Sequence, residues 1–174
     1  MVNATRSLFS GESDEAHRLA AELVSASAAP ANNEGDARTV LAVIDDVRRA
    51  SGLPYRDDLV TRLEILLDAF NEDYDGEVFS AASLRGMLGF LESVPSLPFP
   101  SLTLTPRGES CASWESGRGH AFNALFLDAQ RVRFFIIYPN TGDTRVSDKL
   151  SGSTTPASLP ELVSYVRLSD WAAQ

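Results

Sequence analysis

The sequence of 174 residues is poor in the side chains from which disulfides and metal centres are built. It has one cysteine, Cys111, and two histidines, His17 and His120, which lie far apart in the chain. A single cysteine excludes an internal disulfide, and a structural zinc site needs closely spaced pairs of cysteine or histidine ligands. We therefore expect no metal site, and the lone thiol is typical of a protein from the reducing cytoplasm.

Long apolar runs and cofactor motifs are also missing. The run "FFIIY" at 134–138 is far too short to span a bilayer. The first residues, "MVNATRSLFSGESDEAHR", have no apolar core followed by a cleavage site, so we expect no secretory signal. No P-loop, G-x-S-x-G or G-x-G-x-x-G motif occurs. These absences favour a non-enzymatic cytoplasmic protein that uses no cofactor and does not contact membranes.

Basic residues are scarce in the first half of the chain. Residues 1–92 hold 17 acids and 8 bases, whereas residues 93–174 hold 7 of each, so the first half carries the whole net charge of −9. An acidic surface repels nucleic acid and anionic lipid and attracts basic proteins. Simple solubility is the other explanation, because surface charge usually reflects solvation.

Helical periodicity dominates as far as residue 93. The clearest apolar face is made by Leu59, Leu63, Leu66, Leu67 and Phe70. Patterns of this kind predict four helices, over 12–29, 36–50, 56–70 and 80–93. Gly52 and Pro54 end the second of these, and Ser80 is the expected cap of the fourth.

After the proline-rich "VPSLPFPS" at 94–101, the apolar period becomes two. Alternation and turn residues predict four strands and a short fifth, over 102–104, 110–116, 120–127, 131–138 and 144–147. Each strand is expected to bury one face beneath the helices. Ser158 and Glu161 are spaced as a capping box for a last helix over 158–168, and Trp171 is expected to pack back on the body.

These elements predict an α+β fold. About four N-terminal helices pack on a C-terminal antiparallel β-meander of four to five strands, and a C-terminal helix closes the chain. The length suits a single domain over 1–174. Its parts are a loosely attached helical arm (1–34), a helical half (36–93), the antiparallel sheet (101–147) and the C-terminal helix (158–168).

From about Asp75 onward the chain resembles a group of small uncharacterised bacterial proteins. The shared features are a "DG" loop before a helix, a proline-rich entry, a "TPxG" turn and a strand that ends in Trp. Here they read "YDGEVFSAASL", "VPSLPFP", "TPRG" and "ASW", within residues 74–138. The resemblance implies a helix followed by a meander in a bacterial accessory protein, and it carries over no activity or site residues.

The segment 71–82, "NEDYDGEVFSAA", is similar to the first half of an EF-hand calcium loop. Asn71, Asp73 and Asp75 occupy alternate positions before Gly76. The closing position of such a loop requires a bidentate Glu, and this chain has Ala82 there. The acids and the glycine also suit a tight turn before a helix, so we expect no specific calcium binding.

Two hypotheses for function remain open. The first is a binding protein that presents an acidic helical face to a basic protein partner, as antitoxins, immunity proteins and inhibitors of toxins, nucleases or defence complexes do. The candidate face consists of Asp57, Asp58, Glu64, Asp68, Glu72, Asp73 and Asp75. A variant of this hypothesis is a homodimer formed through an exposed sheet edge.

The alternative is an enzyme or small-ligand protein with a pocket between sheet and helices. Trp114, His120 and Arg133 are the side chains expected to converge there. Cys111 and His120 would form a nucleophile and base if the turn at 117–119 placed them side by side, whereas the simpler interpretation of Cys111 is a packed small side chain.

Overall fold

The computed structural model describes residues 33–49, 52–74, 78–116, 119–140 and 147–172. Five helices are present in these ranges: α1 (Asn33–Arg49), α2 (Arg56–Asp73), α3 (Ala81–Ser93), α4 (Leu159–Tyr165) and α5 (Leu168–Ala172). The predicted α+β fold is confirmed, with the three longest helices before the sheet and the two short ones after it. The predicted helix 12–29 lies outside the described residues. No helix in the described ranges is long and apolar enough to cross a membrane.

The sheet is an antiparallel meander in which neighbours in sequence are neighbours in space. Its strands are β1 (Ser101–Leu104), β2 (Ser110–Ser116), β3 (His120–Phe126), β4 (Val132–Pro139) and β5 (Ser147–Thr154). Of the predicted fifth strand 144–147, residues 144–146 lie outside the described residues, and β5 extends past the predicted end, from Ser147 to Thr154, to pair along the whole of β4. This edge strand is largely exposed, and its sequence "SDKLSGST" lacks the apolar alternation on which the prediction depended.

The helices pack on one face of the sheet, which we call the first face. Trp114 of β2 and Phe122 of β3 stack there with ring centroids 5.6 Å apart. Phe90 of α3 meets Trp114 edge-on and lies 5.9 Å from Phe126. The indole Nε1 of Trp114 donates a hydrogen bond of 2.9 Å to the carbonyl of Pro98, so the proline-rich entry is tied to the same core.

Helix α3 approaches the sheet closely because small residues line its buried side. Ser80 caps the helix, as predicted, by accepting a hydrogen bond from the Ser83 N–H. Ser83 itself is fully buried between β2 and β3. At Gly86 a Cβ atom would lie 2.4 Å from the carbonyl oxygen of Asp128, so the turn after β3 needs a glycine at this point.

The "TPRG" turn packs against the segment that leads into α3. Gly108 has φ +71°, and a Cβ there would lie 2.3 Å from the carbonyl oxygen of Val78. The Gly108 carbonyl accepts a hydrogen bond of 2.9 Å from the Ser80 N–H. Glycine is required both for this backbone conformation and for the close approach of the two segments.

The C-terminal segment differs from the single helix predicted over 158–168. It breaks between α4 and α5, where Arg167 has φ 52°. The predicted capping box is also wrong, because Ser158 has helical backbone angles and makes no side-chain cap. Thr155 takes that role and accepts from the Ser158 N–H. Trp171 packs on the body as predicted, with its ring stacked 5.0 Å from that of His120.

The opposite side of the sheet, which we call the second face, is apolar as well. It is formed around Cys111, Ala121, Leu125, Phe135 and Ile137, all of which are buried. The helices cover one face of these strands, as expected, and β3 and β4 have buried apolar residues on the other face as well. Their runs "FNALF" and "FFII" contain apolar residues at successive positions, which is typical of strands covered on both sides.

Candidate functional site

The outward side of α2 is an acidic surface with an apolar residue in it. Four exposed acids of the predicted set, Asp57, Asp58, Asp68 and Glu72, fall on this side of the helix. The helix positions them because its opposite side, with Leu59, Leu63 and Phe70, is buried in the core. Ile65 lies among the four acids, and 53% of its surface is exposed. We call these five residues the α2 outer face.

The remaining predicted acids are arranged differently. Glu64 forms an ion pair with Arg48 of α1, which also pairs with Asp45. Its charge is therefore partly compensated within the molecule. Asp73 is exposed at the C-terminal end of α2, and Asp75 lies outside the described residues.

One side-chain contact ties α2 to the sheet without using the acids of the α2 outer face. The Arg62 guanidinium donates a hydrogen bond of 2.8 Å to the carbonyl of Leu102 in β1. At the first turn, Arg56 pairs with Asp57 at 2.9 Å, and the Asp57 side chain keeps 88% of its surface exposed. An exposed pair of this kind contributes little to stability, so the carboxylate remains available to another partner.

The described residues contain no group of three or more His, Cys, Asp or Glu side chains that could hold a metal ion. In the segment similar to a calcium loop, residues 75–77 lie outside the described ranges. The neighbouring acids Glu72 and Asp73 are on the exposed end of α2. The expectation about calcium therefore stays a prediction.

The three side chains of the alternative pocket do not converge. Trp114 and His120 lie on the first face, because β2 pairs Trp114 with Phe122 and Ser116 with His120. Arg133 pairs with Leu125 on the second face, on the other side of the sheet. His120 is engaged by the ring of Trp171 and by the Ser116 hydroxyl, 3.3 Å from its Nδ1.

Cys111 and His120 are not adjacent either. The β2–β3 register places Cys111 opposite Leu125, at the far end of the hairpin from His120 and on the other face. Burial raises the pKa of the Cys111 thiol, which outweighs the lowering effect of hydrogen bonds from Ser113 and Thr103. A buried thiol with a raised pKa is a poor nucleophile at neutral pH, so Cys111 behaves as a packed side chain.

Sequence reasoning missed the buried polar groups around the sheet. Ser83 bridges β2 and β3, and Glu109 is buried at the start of β2 beside the Thr105 hydroxyl, 3.3 Å away. On the second face, the Ser113 hydroxyl donates to the side-chain amide oxygen Oδ1 of Asn123 at 2.7 Å. The cross-strand pairing of Ser113 with Asn123 follows from the predicted turn at 117–119, so this turn was the feature of the sequence from which the contact could have been predicted.

Comparison with known proteins adds no relative. No family model matches the chain, and no curated protein or solved structure matches it.

Proposed function

We propose that this protein is a non-enzymatic binding protein whose α2 outer face docks on a basic surface of another protein. The observation that carries the proposal is the composition of that face, four exposed carboxylates around an exposed isoleucine. The carboxylates lie on a helix whose inner side is anchored, so they are presented in a fixed arrangement. A rigid, charged face loses little conformational freedom when it binds.

Ile65 gives the face a second property. Interfaces are strongest where a desolvated apolar anchor is surrounded by polar groups that exclude water. Asp68 and Glu72 follow Ile65 at three and seven residues, within two turns on the same side of the helix. We infer that the acids steer and align a basic partner and that Ile65 contributes most of the contact energy.

The class of partner follows from the charge. A toxin, a nuclease or a nucleic-acid-dependent defence complex carries a basic surface, and a helix lined with carboxylates is complementary to it. An antitoxin, immunity protein or inhibitor is therefore the function that we favour. The uneven charge of the chain supports this, because its whole excess of acids lies in residues 1–92.

The test starts with the tagged full-length chain, used to co-purify and identify its partner from the source cells. Affinity is then measured by calorimetry with both purified proteins at about 50 and 200 mM salt. The variant Asp68→Lys with Glu72→Lys should weaken binding about tenfold to a hundredfold at low salt, since each exposed ion pair contributes up to about 1 kcal/mol and reversal adds repulsion. Ile65→Ala should weaken binding at both salt concentrations.

A matched variant controls for net charge. Glu92→Lys with Asp170→Lys makes the same charge change at exposed positions on other helices. It should leave affinity within about threefold of the wild type at the higher salt concentration, where distant charges are screened. Equal loss in both double variants, or no loss in either, would contradict docking through the α2 outer face.

The sheet edge offers a second mode of association, with another copy of the chain. β5 is the terminal strand in the described sheet order, eight residues long and mostly exposed. Pairing of two β5 strands would give a dimer of twice 18.8 kDa. Light scattering across a hundredfold range of concentration tests this, and a constant monomer mass would exclude it over that range.

A further inference from the structure

Among the described residues, two large aliphatic side chains keep more than half of their surface exposed. Leu41 of α1 is 54% exposed, and Ile65 of α2 is 53% exposed. Single exposed apolar residues are ordinary on protein surfaces, so the pair is informative only if both belong to one surface. The packing of α1 on α2 decides whether they do.

α1 and α2 pack side by side, and an ion pair joins their adjoining sides. Arg48 of α1 reaches Glu64 of α2 and also pairs with Asp45 on its own helix. Leu41 precedes Asp45 by four residues and Arg48 by seven, which places it on the same side of α1. Asp68 follows Glu64 by four residues and lies on the corresponding side of α2. Leu41 therefore lies at the border between the two helices.

The direction of the helices determines which residues line this border. A short connection over 50–55 joins α1 to α2, and helices joined in this way run antiparallel. From the Arg48–Glu64 pair, α1 leads back to Leu41 in the same direction in which α2 leads on to Asp68. The groove between the helices thus has an aliphatic side chain on one side and a carboxylate on the other. We call Leu41, Asp45, Glu64 and Asp68 the α1–α2 groove.

Ile65 lies beside this groove on the outer side of α2, directly after Glu64. Leu41 is two helical turns from Arg48, so it lies about 10 Å from Ile65 along the helix axes. Two turns of a docked helix span that distance, with apolar residues at positions i and i+7 as the anchors. The spacing of the two exposed aliphatic residues therefore matches a helical partner segment.

We propose that a basic amphipathic helix of the partner protein docks in the α1–α2 groove. Its apolar side contacts Leu41 and Ile65, and its lysine and arginine side chains meet the carboxylates of Asp68 and Glu72. A groove with an aliphatic side and an acidic side is complementary to a helix with an apolar side and a basic side. The inference rests on the proposed docking of the α2 outer face, and it adds α1 to the interface and a helical form to the partner's binding segment.

The probe is a fluorescein-labelled synthetic peptide of about 18 leucine and lysine residues, with leucines at i, i+3, i+4 and i+7. A second peptide of the same composition has alternating leucine and lysine, so its charge is equal and its pattern is that of a strand. Fluorescence anisotropy should show that the full-length protein binds the first peptide at least about tenfold more tightly. Equal or tighter binding of the alternating peptide would overturn the groove as a helix-binding site.

Variants of the protein test where the first peptide binds. Leu41→Gln removes the anchor on α1 without a change of charge and should weaken binding about fivefold to tenfold. Tyr165→Gln is the matched control, because it replaces a side chain that is 81% exposed on α4. It should leave the affinity within about twofold of the wild type. Unchanged affinity in Leu41→Gln would overturn the proposal.

The co-purified partner separates the groove from the α2 outer face. Calorimetry with that protein should show a similar loss of affinity for Leu41→Gln and for Ile65→Ala. If reversal of the charges of Asp68 and Glu72 weakened partner binding and Leu41→Gln did not, the α2 outer face would stand and the α1–α2 groove would be overturned. If neither change weakened partner binding, the proposed function would fail, and the groove with it.

Discussion

Ser83 is the position where one small substitution should disturb the junction of helix and sheet most. Its hydroxyl accepts a hydrogen bond of 2.7 Å from the Ser110 N–H and donates one of 2.5 Å to the Phe126 carbonyl. The residue is fully buried, so neither partner has solvent as a replacement. Ser83→Ala removes a single oxygen and leaves two buried backbone groups without their partner.

The expected loss follows from these two groups. Each buried polar group left unpaired costs about 1–3 kcal/mol, and the better helix propensity of alanine returns a few tenths. We therefore expect the free energy of unfolding to fall by about 3 kcal/mol. For a chain of this size the melting temperature would fall by about 6–12 °C.

Urea unfolding followed by circular dichroism measures the loss, with Ser93→Ala as the matched control. Ser93 lies on the same helix, is exposed, and donates to the Phe90 carbonyl in its own last turn. Its replacement should change stability by less than about 0.5 kcal/mol. If the two variants were equally stable, the argument that Ser83 links the two strands energetically would be refuted.

Three further predictions concern the core. Gly86→Ala should destabilise the protein by more than about 2 kcal/mol in urea unfolding, because the new Cβ would clash with backbone atoms. Gly89→Ala should stabilise it by about 0.5–1 kcal/mol, because a Cβ there would have no atom within 4 Å and alanine favours the helix. Trp114→Phe should cost about 2 kcal/mol by the same assay, because the Pro98 carbonyl loses its indole donor. Burial raises the pKa of the Cys111 thiol, so its contribution to the free energy of unfolding is fully present below about pH 8.5 and is lost as pH rises through the folded-state pKa. Cys111→Ala should lessen that decline in melting scans at about pH 7 to 10.

The elements with strong periodicity were predictable from the sequence, and those with weak periodicity were not. α2 and α3 begin and end within a few residues of their predicted limits, since their apolar faces and flanking Gly, Pro and Ser residues all agree. The extent of β5 was not predicted, because an exposed edge strand needs no apolar alternation. Within β5, Gly152 leaves room for the ring of Phe134 on the neighbouring strand. Such a requirement comes from the neighbouring strand and is invisible in a local window.

The candidate site divides in the same way. The exposed acids of α2 were predictable because the buried side of an amphipathic helix fixes its outer side. That Glu64 is paired with Arg48 was not predictable, because the partner belongs to another helix sixteen residues earlier. Trp114, His120 and Arg133 do not converge because successive residues of a strand point to opposite faces of the sheet. Arg133 is next to Phe134, which faces the helices, so Arg133 lies on the other face.

The meander also has a consequence for the order in which the chain folds. All four strand pairings join segments that are adjacent in sequence, so the sheet can assemble by successive hairpins with little loop-closure entropy. The bonds from Arg62 to Leu102 and from Ser83 to Phe126 close loops of 40 and 43 residues. Docking of the helices on a preformed sheet is therefore the step that carries the entropic barrier, and substitutions at this junction should slow refolding more than substitutions in the hairpin turns.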